Sequence, residues 1–246
     1  MIPLYYGFDA RESIGAHVFQ HSVLTRSSVP VSFIPLHLEN MRKFYEEHHT
    51  DGTNTFIYSR FLIPYLQNYQ GWAIFMDGAD MLCMDDIANL WNERDMYKAV
   101  QVVKHDYTTK QNRKYIGTGM EANNENYQRK NWSSVMLINC SHYAWRQVTP
   151  EMVQRTSGAI LHRFVWMKDD EIGEIPKEWN HLVIEQDANQ KAKLAHFTLG
   201  IPGFKHYEHC EFAEEWFHER GLMEWSAQDG TSNLHRFENV DSIMVA

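Results

Sequence analysis

The sequence predicts an α/β fold in which a central sheet is flanked by helices, and two observations carry this prediction. Residues 2–6 and 29–36 are strand-like with a helical segment between them, the strand–helix–strand order of α/β proteins. Residues 72–76 form an apolar run that ends abruptly in acidic residues. Such a run is typical of a strand buried on both faces of a sheet.

The helix after the first strand is predicted to begin near Asp9. Asp9 and Glu12 have the spacing of a capping box, so Asp9 is expected to cap this helix. Ile14 and Val18 mark one face of it. Residues 39–53 are polar, which favours a solvated helix or a loop.

A second helix is predicted over residues 58–65, where apolar side chains recur at helical spacing. Ser59 and Arg60 lie off the main apolar stripe, and Pro64 is expected to kink or end the helix. The other predicted elements are helices at 87–91 and 150–160, strands at 99–103, 135–138 and 193–197, a polar loop at 107–130, and a helical stripe from Phe212 that stops at Gly221.

Composition is that of an ordinary globular protein. The 246 residues are 43% hydrophobic and 22% charged, and no repeat or linker is evident, so one domain is favoured. A net charge of -9 makes nucleic acid an unfavourable partner. A mononucleotide is still compatible with this charge, because a bound metal ion reverses the local field.

Cysteine use and the lack of a long apolar segment suggest a compartment. The three cysteines, Cys83, Cys140 and Cys210, are widely spaced and form no CxxC pattern, which favours a reducing environment. Residues 1–6 are typical of a strand rather than a signal peptide, and no stretch approaches the ~20 apolar residues of a transmembrane helix. A cytoplasmic protein is therefore expected, at most peripheral at the inner membrane surface.

The acidic end of the strand at 72–76 is the main candidate for a site. Asp77 and Asp80 are separated by Gly78-Ala79, and a turn there would let both carboxylates face one point. At the carboxyl edge of a sheet, paired carboxylates suit Mg²⁺ or Mn²⁺ and hence a phosphate. A simple turn with capping acids is the competing interpretation.

His196 ends another predicted strand and is followed by a loop that contains Gly200 and Lys205. Such a loop can present backbone N–H groups and an ammonium group to a phosphate. A structural role for His196 is equally compatible with its residue type and position.

Taken in order, these segments resemble glycosyltransferases of the GT-A fold, most of all family 8, which includes lipopolysaccharide galactosyl- and glucosyltransferases and glycogenin. The family's DxD segment resembles Phe75-Met76-Asp77-Gly78-Ala79-Asp80-Met81-Leu82, with DxxD in place of DxD. The other similar segments are Tyr58-Ser59-Arg60-Phe61, residues 131–139, Asp169-Asp170-Glu171 before Ile175-Pro176-Lys177-Glu178-Trp179-Asn180, and His196 with Gly200 and Lys205.

The resemblance implies a single GT-A domain over residues 1–210, with a Rossmann-like, mixed, mostly parallel sheet. Residues 211–246 would form a C-terminal helix and tail that faces the acceptor or a partner. The implied activity is transfer of a hexose from a nucleotide sugar, a UDP-sugar above all, with retention of configuration. The loop at 107–130 would close over the donor.

The resemblance also assigns roles to individual residues. Asp77, Asp80 and His196 would hold Mn²⁺ or Mg²⁺, and Asp170, with Asp169, would lie nearest the reacting carbon. The implied donor-binding residues are Tyr6, Gly7, Asp9, Arg60, Asp77, Asn131, Gly200 and Lys205.

Other functions stay open at this point. A sugar nucleotidyltransferase would need a glycine-rich basic loop after the first strand, which residues 6–12 do not provide. A phosphatase with a nucleophilic aspartate would need a different spacing from Asp77-Gly78-Ala79-Asp80. A non-catalytic nucleotide-sugar-binding protein remains compatible with DxxD. The acceptor, whether a glycan, a lipid-linked sugar or a protein, cannot be read from the sequence.

Overall fold

The computed structural model describes residues 1–50, 52 and 54–224. The strands in this part of the chain are β1 (Ile2–Gly7), β2 (Val31–Leu36), β3 (Trp72–Met76), β4 (Met81–Cys83), β5 (Val100–Val102), β6 (Arg113–Lys114), β7 (Ala122–Asn123), β8 (Val135–Asn139), β9 (Ile172–Glu174), β10 (His181–Leu182) and β11 (Leu194–His196). The α-helices are α1 (Ser13–Leu24), α2 (Leu38–Met41), α3 (Ile63–Leu66), α4 (Ile87–Asn92), α5 (Pro150–Arg155), α6 (Gly158–His162) and α7 (Ala213–Met223). None of the described helices is long and apolar enough to cross a membrane.

The central sheet has six strands in the order β2-β1-β3-β8-β5-β9. The pairs β1–β2, β1–β3 and β5–β9 are parallel, and only β8 runs antiparallel to its two neighbours. The predicted α/β fold and its strand–helix–strand beginning are confirmed. The strand β3 lies inside the sheet with four of its five residues fully buried, as the apolar run predicted.

Alternate residues of β3 pack in two hydrophobic cores, one on each face of the sheet. Phe75 packs in a cluster with Phe61 of the segment before α3 and with Trp145. Ile74 and Met76 pack on the opposite face, in a cluster that includes residues of α1 and α4. This alternation follows from the two-residue period of a strand.

A small second sheet, in the order β10-β11-β4, lies beside the acidic turn. The strand β4 begins directly after Asp80 and pairs antiparallel with β11, with Met81 opposite His196. The amide of Phe197 donates to the carbonyl of Asp80 at 2.8 Å. Pairing of these strands therefore brings a histidine more than a hundred residues away in the chain next to the two aspartates.

The start of the first helix differs from the prediction. Asp9 caps a short 3-10 turn, Ala10–Glu12, by accepting from the amide of Arg11 at 3.0 Å, and α1 follows only at Ser13. Glu12 does not complete a capping box: it is fully buried, and both its carboxylate oxygens lack a hydrogen-bond partner within the described residues. Burial, reinforced by Asp80 and Asp9, raises the pKa of Glu12 well above its usual value.

The predicted effect of Pro64 is also wrong. A 3-10 turn, Ser59–Leu62, precedes α3, so Pro64 lies in the first turn of α3, where its missing N–H is harmless. The tighter turn also buries Ser59 and Arg60, whereas both would lie off the apolar stripe of a regular α-helix. The predicted helix at 150–160 is broken between α5 and α6, and α7 continues past Gly221 to Met223.

The helix α7 packs on α1 through a buried carboxylate. Glu219, which is 1% exposed, lies 2.8 Å from a guanidinium nitrogen of Arg26 and 2.5 Å from Nδ1 of His21. Trp216 joins a core cluster with Val18 of α1. Residues 225–246 of the predicted tail lie outside the described residues.

The helix α1 makes a close approach to the acidic turn at Gly15. A Cβ atom on Gly15 would lie 1.9 Å from the carbonyl oxygen of Ala79, between the two aspartates. That distance is far inside van der Waals contact, and the obstacle is backbone rather than a movable side chain. Gly15 is thus required for α1 to pack against the turn.

We expect Gly15→Ala to lower the free energy of unfolding by about 1–3 kcal/mol, the usual cost of overpacking, because the helix must move off the turn. Urea denaturation followed by circular dichroism measures this change. Gly221→Ala is the matched control, since a Cβ on this helical residue meets nothing within 4 Å. The control should be neutral or more stable. Equal stability of Gly15→Ala and wild type would contradict this packing.

Candidate active site

The turn after β3 brings two carboxylates to one point at the carboxyl edge of the central sheet. Gly78 adopts a φ of 75°, which glycine reaches without strain, and the amide of Asp77 donates to the carbonyl of Ser134 at 2.9 Å. Asp80 is then buried at 3% exposure. On a continuous strand the two aspartates would face opposite sides, so the turn creates the pair.

His196 completes a three-residue cluster with these aspartates. Its Nε2 atom lies 3.3 Å from Oδ2 of Asp80 and 3.7 Å from Oδ2 of Asp77. One ligand atom from each of the three residues lies within 4.8 Å of the others. The structure thus brings together the three residues for which a metal site was predicted.

Asn180 sets the orientation of the histidine ring. Its side-chain nitrogen donates to Oγ of Ser134 at 2.9 Å, so its side-chain oxygen is left to accept from Nδ1 of His196, also at 2.9 Å. With the proton on Nδ1, the ring presents the lone pair of Nε2 toward Asp77 and Asp80. An amide or carboxylate behind the ring is the usual arrangement for a histidine that binds a metal ion.

The cluster fits a divalent cation on its own chemistry. Oδ1 of Asp80 is buried and has no hydrogen-bond partner within the described residues. Burial raises the pKa of Asp77, which Arg60 counteracts. A buried carboxylate beside a half-buried one is unfavourable without a positive charge between them. Carboxylate oxygens with one imidazole nitrogen suit Mn²⁺ or Mg²⁺.

Arg60 is rigidly held beside the cluster. A guanidinium nitrogen lies 2.6 Å from Oδ1 of Asp77 and donates to the carbonyl of Ser133 at 2.9 Å, while Nε donates to the carbonyl of Ile57 at 2.8 Å. The guanidinium carbon lies 4.8 Å from the ring centre of Phe75. This cation is fixed before any ligand arrives, which favours binding of a phosphate next to Asp77.

Two neighbouring spaces lie at the cluster and share part of their lining. A small cavity of about 90 Å³ contains the cluster, Arg60 and Asn131. A large chamber of about 500 Å³ lies next to it, and both are lined by Lys114, Tyr127 and His162. The size of the large chamber is within the range of small-molecule sites.

Lys114, Tyr127 and His162 were not predicted as site residues. Lys114 ends strand β6 and Tyr127 lies beyond β7, so both come from the polar segment 107–130, whose sequence gives no periodic signal. His162 ends α6, and its Nδ1 lies 2.7 Å from Oγ of Ser133. Burial lowers the pKa of His162 far below its usual value, which keeps the ring neutral.

The residues predicted beside the nucleoside lie at the end of β1 but outside both spaces. Tyr6 is a core residue whose ring contacts Phe19 and Phe33. Gly7 packs so closely that a Cβ atom would lie 2.2 Å from the ring of Phe56. Asp9 pairs with Arg11 at 2.6 Å and accepts from the amide of Thr55 at 3.1 Å.

The structure does not bring the other predicted residues to the cluster. Gly200 packs under the ring of Tyr207, and Lys205 lines a separate depression. Asp169 is exposed and lies 2.5 Å from a guanidinium nitrogen of Arg129. Asp170 is also exposed, and neither acid is among the residues that line the two spaces. The acidic run at 169–171 therefore forms a surface turn.

Comparison with solved structures identifies the fold. The chain matches the bifunctional glycosyltransferase WbbM with a TM-score of 0.57 at 13% identity, over 92% of this chain and 50% of WbbM, so it spans half the length of that protein. It matches the galactosyltransferase LgtC, solved with donor and acceptor sugar analogues, with a TM-score of 0.51 at 14% identity, over 92% of this chain and 97% of LgtC. GlyE of Streptococcus pneumoniae matches with a TM-score of 0.57 at 11% identity, over 93% of this chain and 65% of GlyE.

The fold is therefore the GT-A glycosyltransferase fold, as the family-8 resemblance implied. No protein-family model matches the chain. The chain is 41% identical over 224 residues to Protein CDI of Arabidopsis thaliana. The aligned region covers 88% of this chain and 85% of Protein CDI. It belongs to the same family as Protein CDI.

We expect the cluster to bind Mn²⁺ and Asp80→Asn to abolish binding that calorimetry can detect, because the amide removes a charged ligand. Asn180→Ala should weaken binding about 10–100-fold, the usual effect of losing the partner behind a metal-binding histidine. Asp170→Asn makes the same chemical change on the exposed turn and should bind Mn²⁺ like wild type. Unchanged affinity in Asp80→Asn would exclude this metal site.

Proposed function

We propose that this protein is a metal-dependent glycosyltransferase that transfers a hexose from a UDP-sugar to an acceptor with retention of configuration. The observation that carries the proposal is the cluster of Asp77, Asp80 and His196 at the carboxyl edge of a GT-A sheet, with Arg60 and Lys114 beside it. Ligands of open α/β sheets bind at this edge. The match to LgtC, a galactosyltransferase solved with sugar analogues, supports the proposal.

The residues of the small cavity are suited to a departing diphosphate. A divalent cation held by Asp77, Asp80 and His196 would neutralise the negative charge that develops on the leaving group. Arg60 and Lys114 would add two fixed positive charges there, and Arg60 needs no reorganisation because its contacts already hold it. The buried surroundings strengthen each of these interactions.

The donor sugar would extend from the cluster toward the large chamber. Asn131, which lines both spaces, can hydrogen-bond sugar hydroxyls, and Tyr127 offers an aromatic face. Asn131 adopts a left-handed φ of 61° and its side chain donates to the hydroxyl of Tyr107 at 2.9 Å, so its position is fixed. The acceptor would then approach through the large chamber.

Retention is best explained by attack on the same face that the diphosphate leaves. Among the described residues, the carboxylates that line the two spaces are Asp77, Asp80 and the exposed Glu125. The first two are the proposed metal ligands, which leaves no buried carboxylate to act as a covalent nucleophile. In the proposed step the bond from the anomeric carbon to the diphosphate breaks, the acceptor oxygen bonds to that carbon, and the hydroxyl proton passes to a phosphate oxygen.

The proposed location is a reducing compartment, the cytoplasm, at most peripheral to a membrane. All three cysteines are free thiols, and Cys83 and Cys140 are buried, which supports this proposal. An acceptor carried by a lipid would then be reached from the membrane surface.

We expect the protein to release UDP slowly from UDP-glucose or UDP-galactose with Mn²⁺, even without an acceptor, because bound water can replace the acceptor hydroxyl. EDTA or Asp80→Ala should lower release at least about 100-fold, since the charge on the leaving group is then uncompensated. Asp187→Ala, which removes an exposed acid from the surface, is the control.

Two outcomes would contradict the proposed function. Undiminished release in EDTA would remove the metal from the reaction. Tight, metal-independent binding of a UDP-sugar with no release would instead support a non-catalytic binding protein.

A further inference from the structure

The large chamber carries an unusual charge for an acidic protein. Three cations line it, Lys114, Lys130 and Arg163, in a chain whose net charge is -9. The only carboxylate in its lining, within the described residues, is Glu125, which is exposed and is not ion-paired with any of the three. Carboxylates outside the lining lie near two of these cations, Glu185 near Lys130 and Asp80 near Lys114. Within the described residues, however, none of the three cations forms a direct ion pair.

Lys130 is held in the chamber wall by neutral oxygen atoms. Its Nζ atom donates to Oδ1 of Asn124 and to the carbonyl of Glu125, both at 2.6 Å. Burial, followed by repulsion from Lys114, lowers its pKa to about 8, and the carboxylates of Glu185 and Glu125 oppose this shift. Both lysines line the chamber, and an anion bound beside them would offset their mutual repulsion.

Arg163 is a second cation, and it has no carboxylate partner within the part of the chain that the structure describes. Its Nε atom is buried without a hydrogen-bond partner among residues 1–50, 52 and 54–224. Its backbone carbonyl is fixed by a guanidinium nitrogen of Arg129 at 2.6 Å, which holds the residue at the end of α6 beside the chamber. A buried guanidinium N–H without a partner favours an incoming oxygen acceptor.

The donor does not account for these two cations. Asp77, Asp80 and a diphosphate with two negative charges would be matched by a divalent cation, Arg60 and Lys114, all of which belong to the small cavity. Lys130 and Arg163 line the large chamber and are not among the residues that line the small cavity. After the donor site is neutral, Lys130 and Arg163 are therefore still without a direct ion-pair partner within the described residues.

We propose that the large chamber binds an anionic acceptor, one that carries a phosphate or carboxylate group close to the hydroxyl that receives the sugar. Lys130 and Arg163 hold the oxyanion and thereby select anionic over neutral acceptors. The assignment of the bound anion as the acceptor rests on the function proposed above. The binding of an oxyanion by Lys130 and Arg163 does not depend on that function. Charge-assisted hydrogen bonds from a lysine and an arginine fit either oxyanion.

The test is a calorimetric titration in which sugar probes are added to the protein. The protein is first loaded with Mn²⁺ and saturating UDP, so that the small cavity is occupied. The probes are glucose 6-phosphate, glucuronate and glucose, so that phosphate, carboxylate and neutral sugars are compared. At least one of the two anionic probes should bind about tenfold or more tightly than glucose. Lys130→Gln and Arg163→Gln should each weaken that binding about tenfold or more, the effect of one charge-assisted bond.

The matched controls are Lys191→Gln and Arg155→Gln, exposed cations outside the chamber, which should bind the probe like wild type. The affinity for UDP, measured first in each variant, should change less than about twofold in Lys130→Gln and Arg163→Gln. This comparison shows that a variant is folded and that the small cavity is intact. It also separates the two proposals, because loss of UDP binding concerns the donor site alone.

The inference would be overturned if glucose and the anionic probes bind equally well. It would also be overturned if both chamber substitutions leave anion binding unchanged. In either case, UDP binding would leave the proposed function standing. If UDP binds to no form of the protein, the proposed function fails. The anionic probes are then titrated into the protein with Mn²⁺ alone. Dependence on Lys130 and Arg163 would support the anion site, and independence would reject it.

Discussion

The turn between β3 and β4 is the constraint on which the candidate site depends. The strand β3 is buried on both faces of the central sheet, and β4 is paired with β11, so both ends of the short connection are fixed. Gly78 supplies the left-handed backbone conformation that joins them, and Gly15 lets α1 pack directly against the turn. Asp77, Asp80 and His196 meet as a consequence of this strand pairing.

The same constraint concentrates buried charge at one edge of the sheet. Asp80 and Glu12 are buried, and burial raises the pKa of Glu12 and Asp77. Placing carboxyl groups so close together costs stability, and Arg60 offsets part of that cost through its contact with Asp77. An arrangement of this kind is expected where a cation and a phosphate are to be bound rather than where packing alone is required.

Much of the scaffold could be predicted because strong local patterns specify it. The apolar run at 72–76 predicts β3 and its acidic end, and the order of the segments related to family 8 predicts the GT-A fold. The errors arose where neighbours in space decide the local structure. Pro64 begins a helix because a 3-10 turn precedes it, and Glu12 is buried by the fold instead of capping a helix.

The site itself could be predicted only in part: Arg60 was predicted, but two further cations come from a segment without a periodic sequence pattern. Lys114 and Lys130 belong to the polar segment 107–130, which reaches the site through the β6–β7 hairpin. Conversely, the acids at 169 and 170 look like site residues in the sequence, but a surface turn exposes them. Which polar residues converge is set by long-range packing, which one sequence does not reveal.

The most direct test of the account is a crystal structure with UDP and Mn²⁺, with the cation located by its anomalous scattering. We expect one Mn²⁺ peak at the cluster of Asp77, Asp80 and His196, next to the diphosphate of UDP, with Arg60 beside the phosphates. UDP bound elsewhere, or bound at this edge of the sheet with no cation at Asp80 and His196, would contradict the account.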